Sequence, residues 1–153
     1  MEIRKVRVED IDALTDNRIE FVSSITSIAN KDEFKERTRA YLKNHINDGS
    51  LLCYIAVEDE KIISSCLLCI YATIPIPSCL NGISGLLLNV YTLKEYRRKG
   101  IAAKNIKKLM GEAKLLGVNK ISLDYTDNGY PLYQSLGFKK LDRQMEIKLW
   151  HKN

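Results

Sequence analysis

The sequence contains few of the residues that build metal sites and disulfide frameworks. It has two histidines, His45 and His151, and four cysteines, of which Cys66 and Cys69 form the single C-x-x-C pair. No second C-x-x-C and no neighbouring histidine completes a zinc site. The pair lies in a strand-like apolar run, in which residues three apart face opposite sides. We therefore expect buried free thiols and no metal ion.

Long apolar runs and leader-like features are also missing. No apolar run reaches the about 18 residues that a membrane-spanning helix needs. The first twelve residues, MEIRKVRVEDID, are charged throughout and lack the apolar core of a signal peptide. A chain of 153 residues fits one domain with a sizeable core. We expect a single cytoplasmic domain over residues 1–153 that does not associate with a membrane.

Two common phosphate-binding motifs, GxxxxGK[ST] and GxGxxG, are absent, but the positive charge of the chain is concentrated in one segment. Residues 94–120 contain nine Lys or Arg and two acids, a net charge of +7. The remaining residues carry a net charge of −2, which gives the total of +5. A patch of positive charge confined to one segment indicates a specific anion-binding site rather than a surface that binds anions non-specifically.

The periodicity of apolar residues predicts alternating strands and helices. In chain order these are a strand at 3–8, helices at 10–28 and 32–47, a hairpin around the turn 58–61, a buried strand ISGLLLNVYTL, a helix at 100–116, a strand NKISLDY, a short helix GYPLYQSLGF, and one or two strands in FKKLDRQMEIKLW. The order β-α-α-β-β-β-α-β-α-β-β indicates an α/β (α+β) domain around a mixed sheet. The strands that flank the helix at 100–116 are expected to be parallel.

The segment EYRRKGIAAKNI starts a predicted helix at Gly100 without a capping side chain. No Ser, Thr, Asp or Asn stands just before it, so the first backbone N–H groups lack their usual acceptor. A bound anion can accept from these groups, and the helix dipole adds attraction. Gly100 lets an anion approach the backbone closely, and three cations precede it. A pyrophosphate would suit this turn; an exposed helix start capped by water is the alternative interpretation.

Three segments resemble the GNAT family, the Gcn5-related N-acetyltransferases. RRKGIA (97–102) matches the family signature [Q/R]-x-x-G-x-[G/A], and YPLYQSLGF (130–138) matches its Y-x-x-x-G-F ending. LLLNVYTLKEYRRKG is similar to the central strand and turn of the family. The resemblance extends over nearly the whole chain in element order. It implies a single-domain GNAT-like fold, with a mixed, mostly antiparallel sheet and helices on both faces, and acyl transfer from coenzyme A to an amine.

The resemblance also implies a coenzyme A site. In the family, the signature loop binds the pyrophosphate mainly through backbone N–H groups, and the pantetheine arm pairs with the preceding strand. Here the arm would lie along the main chain of Val90, Tyr91 and Thr92. Asn128 stands where an asparagine that contacts coenzyme A often follows the fifth strand. The residues expected around the pyrophosphate are Arg97, Arg98, Lys99, Gly100, Ile101, Ala102 and Ala103.

Tyr133 occupies the position of the family tyrosine that often protonates the departing thiolate. A phenol has a pKa of about 10 and a thiol about 8.5, so this transfer is uphill by roughly 1.5 pKa units unless the site tunes the phenol. The resemblance implies that Tyr133 is a general acid or a hydrogen-bond donor to the thiolate. A tyrosine that only packs under the final strand is the alternative.

The acceptor side is less sharply defined. In the family, the amine enters between the first two helices and the strands that follow, where Glu20 is suited to hold a cationic amine or is simply a solvated charge. Asn89 is the only polar side chain within the apolar run GLLLNVYT, in which many family members carry a glutamate base. An asparagine cannot be a base. We assign Glu20 and Asn89 to substrate binding. Deprotonation is left to water relayed from Glu20, Glu58 or Asp124, or to a water held by the backbone.

These features predict an acetyl-CoA-dependent N-acetyltransferase that acts on a primary amine of a small molecule or peptide. A CoA-binding regulatory module without catalysis is the alternative, because the strand carboxylate is missing. Nucleic acid is not expected as a partner, since three of the cations lie in the cofactor-type turn and no aromatic platform accompanies them. The final strand would be able to pair across a homodimer.

Overall fold

Five strands form one sheet in the order β1-β2-β3-β4-β5, in a computed structural model that describes residues 1–150. The strands are β1 (Glu2–Lys5), β2 (Leu51–Glu58), β3 (Lys61–Ala72), β4 (Ile83–Thr92) and β5 (Lys120–Ser122). The helices are α1 (Ile11–Ile25), α2 (Lys31–His45), α3 (Ile101–Leu115) and α4 (Tyr130–Ser135). Short 3₁₀ turns precede α1 and follow β4.

The sheet is mixed and mostly antiparallel, as predicted. Strands β1 to β4 pair antiparallel with their neighbours, and β4 pairs parallel with β5 across α3. The β2–β3 hairpin turns at Asp59 and Glu60, which both have positive φ angles of 49° and 62°. A two-residue turn of this kind matches the right-handed twist of the flanking strands.

Helices cover both faces of the sheet. On one face, Leu14 of α1 and Leu42 of α2 are fully buried against sheet residues such as Ile55. On the other face, Ile106 and Leu109 of α3 are fully buried in a second cluster. Burying a leucine or isoleucine side chain contributes about 1.5–3 kcal/mol, so these two stripes fix the helices on the sheet. The single-domain α/β arrangement is the one that the sequence predicts.

Some element boundaries differ from the prediction. Helix α1 ends at Ile25 because Thr26 takes an extended conformation, although the apolar spacing continues to Ile28. Ile25 is already exposed, so the last turn of the helix no longer buries an apolar side chain at this position. Helix α2 begins one residue earlier than expected, because the Asn30 side chain accepts a hydrogen bond from the backbone N–H of Glu33 at 3.1 Å.

The predicted final strands are wrong for the described part of the chain. Residues 139–150 contain no strand, and Met145, Ile147 and Leu149 are almost completely exposed. Alternation of apolar residues predicts which side of a strand would be buried, but a strand also needs a partner with which to pair. The neighbouring strand β5 has only three residues and pairs only with β4.

The cysteines are free thiols, as predicted. Cys66 is fully buried in the core beneath α3, whereas the side chain of Cys69 packs against the core beneath α1 and α2. The two members of the C-x-x-C pair therefore face opposite sides of β3. Burial raises the pKa of the Cys66 thiol to about 12, which makes it a poor nucleophile.

Candidate active site

The sheet opens between β4 and β5. These strands pair only through Ser84, Gly85 and Leu86 of β4, but β4 continues to Thr92. Beyond Leu86, β4 keeps its pairing with β3 and has no neighbouring strand on the other side within residues 1–150. The predicted cofactor-contacting residues Val90, Tyr91 and Thr92 lie in this unpaired stretch. A free strand edge of this kind can accept an extended ligand as an added strand.

A β-bulge lies within the open part of β4. Leu67 of β3 pairs with Leu88, but Ser65 pairs with Tyr91, so Asn89 and Val90 together oppose one residue. Asn89 has a positive φ angle of 53°, which a residue with a side chain rarely adopts. Such bulges bend a strand and re-aim its side chains, and they occur often beside active sites.

The turn after β4 exposes backbone N–H groups at the start of α3. Arg98 and Gly100 both have left-handed backbones, with φ angles of 61° and 74°. No side chain in the described part of the chain caps α3, and the first helical hydrogen bond runs from Lys104 N–H to the Gly100 carbonyl at 3.1 Å. A Cβ atom built on Gly100 would meet nothing within 4 Å, so the space in front of this helix start is open. Left-handed turns next to a helix N-terminus are typical anion-binding geometry.

Two of the three cations before α3 are held by neighbouring groups. The Arg97 Nε donates to the Thr92 carbonyl at 2.9 Å, and its guanidinium lies 5.8 Å from the Tyr91 ring centroid. The Lys99 ammonium lies 5.4 Å from the ring centroid of Tyr96. Arg97, Arg98 and Lys99 are all exposed. They surround the turn with positive charge, while the backbone supplies the directed donors.

Polar side chains form a buried network behind the bulge. Asn89 is 4% exposed, and its amide nitrogen donates to the Ser65 hydroxyl at 2.9 Å. Ser65 in turn donates to the Asn17 side-chain oxygen of α1 at 2.7 Å. Arg18, also on α1, donates to the Asn89 side-chain oxygen at 3.2 Å. The network ties α1 to the bulge, and it positions Asn89 and Arg18 next to each other.

Glu20 also connects α1 to β4. Its carboxylate accepts a hydrogen bond from the Tyr91 hydroxyl at 2.9 Å, while the side chain remains exposed to solvent. Burial and this hydrogen bond raise the pKa of Tyr91. The two other acids named for a water relay lie elsewhere: Glu58 is at the β2–β3 turn, near the N-terminal amine, and Asp124 is exposed beyond β5. Glu20 is therefore the acid that the structure connects directly to the open part of β4.

Tyr133 lies on α4, on the face of the sheet that α3 covers, opposite to the face covered by α1 and α2. Its ring packs edge-on against Phe138, with 5.9 Å between the centroids, and joins the cluster that also contacts Val90. Burial raises the pKa of the Tyr133 hydroxyl, so this phenol, like an ordinary one, is protonated at neutral pH. No hydrogen bond to this hydroxyl occurs within residues 1–150, so it is free to donate. Asn128 is exposed in the turn that precedes α4.

A cleft of about 1110 Å³ lies beside β5 and α4. Tyr133, Ile121 and Leu141 line it, but none of the residues 97–103 does. The cleft therefore does not coincide with the turn before α3. It follows the free edge of β5 and the exposed segment 139–141.

Within residues 1–150, no group of three His, Cys, Asp or Glu is arranged to hold a metal ion. No helix in the same residues is long and apolar enough to cross a membrane.

Sequence patterns predicted neither the hydrogen bond from Arg18 to Asn89 nor the other partner of the Asn89 side chain, Ser65. Arg18 and Asn89 are 71 residues apart, as are Glu20 and Tyr91, so no local pattern links them. The sequence does contain two consecutive polar residues, Asn17 and Arg18, in a predicted helix with an apolar face. This indicates that polar groups approach the core, but it does not indicate which strand residues they contact.

Comparisons with known proteins bear on the family and the fold of the chain. The family model described as acetyltransferase (GNAT) family matches residues 19–138, which is more than half of the chain. No curated protein sequence matches. Among solved structures, a predicted acetyltransferase with acetyl-CoA from Clostridium acetobutylicum is 26% identical, with 97% of this chain and 96% of that chain covered and a TM-score of 0.88.

Two further structures share the fold at lower identity. A GCN5-related N-acetyltransferase from Ralstonia eutropha is 21% identical, with coverage of 96% of this chain and 97% of the other and a TM-score of 0.84. A glucosamine-6-phosphate N-acetyltransferase from Arabidopsis thaliana is 20% identical, with 97% of each chain covered and a TM-score of 0.71.

Proposed function

The chain belongs to the GNAT family of acetyltransferases, and we propose that it transfers an acetyl group from acetyl-CoA to a primary amine of a small molecule or peptide. The proposal rests on the opening in the sheet between β4 and β5 and on the uncapped start of α3, which follows β4 in the chain. The relative from Clostridium acetobutylicum is described with acetyl-CoA, which supports the same donor here.

The residues around this opening fit coenzyme A. The backbone N–H groups of Ile101, Ala102 and Ala103 have no capping side chain within residues 1–150 and suit a pyrophosphate. The open space over Gly100 leaves room for close approach of the phosphates. The unpaired edge of β4 at Val90 and Thr92 suits the pantetheine amides, which can pair with a strand edge. Asn128 completes the proposed set of cofactor contacts.

When bound, acetyl-CoA supplies the thioester whose carbonyl carbon is attacked by the amine nitrogen, with release of the coenzyme A thiol. We assign to Tyr133 the donation of its hydroxyl proton, or of a hydrogen bond, to the departing sulfur. The Tyr133 hydroxyl, whose pKa is raised, keeps its proton at neutral pH and remains a hydrogen-bond donor. The same shift makes complete proton transfer to a thiolate less favourable than it is for an ordinary phenol. A strong hydrogen bond from Tyr133 to the departing sulfur is therefore better supported than full proton transfer.

Glu20 and Asn89 are proposed to serve the acceptor amine. An alkylammonium with a pKa of about 10.4 costs about 4.6 kcal/mol to deprotonate at pH 7, so the site needs a proton acceptor. Glu20 is exposed, and it contacts Tyr91 beside the opening. This arrangement supports Glu20 as the carboxylate that holds the ammonium and accepts its proton through water. The side chain of Asn89 is already hydrogen-bonded to Ser65 and Arg18, which supports a positioning contribution at the acceptor side.

A CoA-binding module without catalysis is the second candidate. The observation that favours it is the absence of any acidic residue from β4, where a strand carboxylate would act as the base. The two candidates differ in turnover. In a screen of a broad amine library with release of coenzyme A thiol as the readout, an acetyltransferase produces amine-dependent thiol. Tight acetyl-CoA binding with no release on any amine would favour the module.

We further propose that the exposed segment 139–150 pairs with the free edge of β5 in a second copy of the chain. Met145, Ile147 and Leu149 alternate with Glu146 and Lys148, which is the pattern of a strand with one buried face. The cleft beside β5 provides the surface that such a strand would cover.

Sedimentation equilibrium tests this pairing. The wild-type chain is expected to dimerise, Ile147→Asp to remain monomeric, and the control Lys148→Asp, on the opposite side of the segment, to dimerise. A wild-type chain that remains monomeric at every concentration contradicts the pairing. A cytoplasmic location and the lack of a nucleic-acid partner stay predictions from the sequence.

A further inference from the structure

Arg18 is a partly buried cation with no anionic partner in the described part of the chain. One guanidinium nitrogen donates to the Asn89 side-chain oxygen at 3.2 Å, and the guanidinium carbon lies 5.7 Å from the ring centroid of Phe34. No Asp or Glu within residues 1–150 forms an ion pair with it. The pKa of Arg18 is lowered by burial, which reflects the cost of removing its charge from water.

The neighbouring acids on α1 are engaged elsewhere. Asp12 accepts from Arg39 at 2.7 Å, and Asp16 forms an ion pair with Lys35 at 2.9 Å. Both cations belong to α2 and are exposed, whereas Arg18 points to the interior beside Asn89. Two of the three acids of α1 are thus directed to α2 and the third, Glu20, accepts from Tyr91, so Arg18, the single cation of α1, has no carboxylate partner within residues 1–150. A desolvated charge with no counter-charge is costly, and an anion bound there would offset that cost.

The position of Arg18 connects it to the proposed site of transfer. Asn89, its hydrogen-bond partner, is a bulge residue in the stretch of β4 beyond Leu86, where β4 is no longer paired with β5. Glu20, two residues further along α1, contacts Tyr91 on the same strand. One helix therefore presents a cation and an acid to neighbouring positions of the open strand. An acceptor with an amine at one end and an anionic group at the other matches this pair of charges.

We propose that Arg18 binds an anionic group on the acceptor, so that the preferred substrates are amines that also carry a carboxylate or a phosphate. This inference rests on the acetyl transfer proposed above. Arginine has five N–H donors in a planar fork, and one of its nitrogens already holds Asn89. The remaining donors can bind two oxygens of a carboxylate or phosphate together. Arg18 is then the residue that selects the acceptor class.

Matched acceptor pairs test the proposal with wild-type protein and acetyl-CoA. β-Alanine is compared with 3-amino-1-propanol, and O-phosphoethanolamine with ethanolamine, by kcat/KM for thiol release. We expect the anionic member of at least one pair to be preferred, and the better pair identifies carboxylate or phosphate. In Arg18→Gln this preference should fall by about 10- to 100-fold, because a charge-assisted hydrogen bond is lost. Arg18→Lys should retain more of the preference than Arg18→Gln.

The control is Arg37→Gln, which removes an exposed arginine on α2 and should leave the preference unchanged. An unchanged preference in Arg18→Gln, or wild-type activity that is equal on both members of each pair, would overturn the inference while acetyl transfer itself stands. If the wild-type chain acetylates no amine, the proposed function fails instead. Calorimetry with β-alanine in the presence of coenzyme A then decides: loss of binding in Arg18→Gln supports anion recognition, and equal or no binding rejects it.

Discussion

The substitution Gly100→Glu tests whether the turn before α3 binds phosphate. Gly100 has a left-handed backbone and open space around the position of a Cβ atom. A glutamate at this position would extend a carboxylate over the uncapped N–H groups of α3, where the pyrophosphate is proposed to lie. The substitution therefore combines a backbone cost with a specific electrostatic effect, and the two must be separated.

Gly49 provides the matched control. It has a φ angle of 82°, close to the 74° of Gly100, and a Cβ atom there also meets nothing within 4 Å. Gly49 lies in the turn between α2 and β2, away from the start of α3. Gly49→Glu and Gly100→Glu should therefore lower the free energy of unfolding by a similar amount, about 1–2 kcal/mol, from the left-handed backbone.

Only Gly100→Glu should weaken cofactor binding. Two unit charges 4 Å apart interact by about 4 kcal/mol at the effective dielectric constant near a protein surface, and salt reduces this value. A repulsion of about 2–4 kcal/mol raises the Kd for coenzyme A by about 30- to 1000-fold. Isothermal titration calorimetry at fixed ionic strength measures this change. Equal affinity of Gly100→Glu and wild type, or equal loss in both glutamate variants, would refute the phosphate assignment.

Three further predictions concern turnover and stability. Tyr133→Phe should lower kcat at least about tenfold with little change in the Kd for acetyl-CoA, and unchanged turnover would exclude a donor role. Asn105 is fully buried, and its amide has no hydrogen-bond partner among residues 1–150, so Asn105→Leu should raise the free energy of unfolding by about 1–3 kcal/mol in urea titrations; destabilisation would contradict this. Burial raises the pKa values of Cys53 and Cys66, so the unfolded chain releases thiol protons first. Stability should therefore be complete below about pH 8.5 and fall above it by up to about 1.4 kcal/mol per pH unit for each thiol; an unchanged slope in Cys66→Ala would argue against this origin.

The fold was largely predictable because its signals are local. The uncapped start of α3 was visible as a missing side chain before Gly100, and the structure has that uncapped start. The parallel pairing of β4 with β5 followed from the helix between them. The free edge of β4 was predicted only through the family resemblance, because the extent of pairing depends on where β5 ends.

The bulge and the acceptor network were not predictable in the same way. Asn89 stood out as the single polar residue in an apolar strand, but its left-handed backbone follows from the register between β3 and β4. Its link to Arg18 depends on how α1 crosses the sheet. The C-terminal alternation predicted a strand that is not present among residues 139–150. The local periodicity of apolar residues indicates which face of a helix or strand would be buried. Whether a strand finds a partner depends on the whole sheet or on an assembly of chains.

Product analysis after reaction with isotope-labelled acetyl-CoA tests the central claim most directly. Acetyl-CoA that carries a ¹³C label in its acetyl group is incubated with the chain and an accepted amine, and the products are identified by mass spectrometry. Direct transfer predicts one labelled acetyl group on the amine nitrogen for each coenzyme A thiol released. Release of labelled acetate without acetylated amine, or recovery of intact acetyl-CoA with every amine in the library, would contradict it.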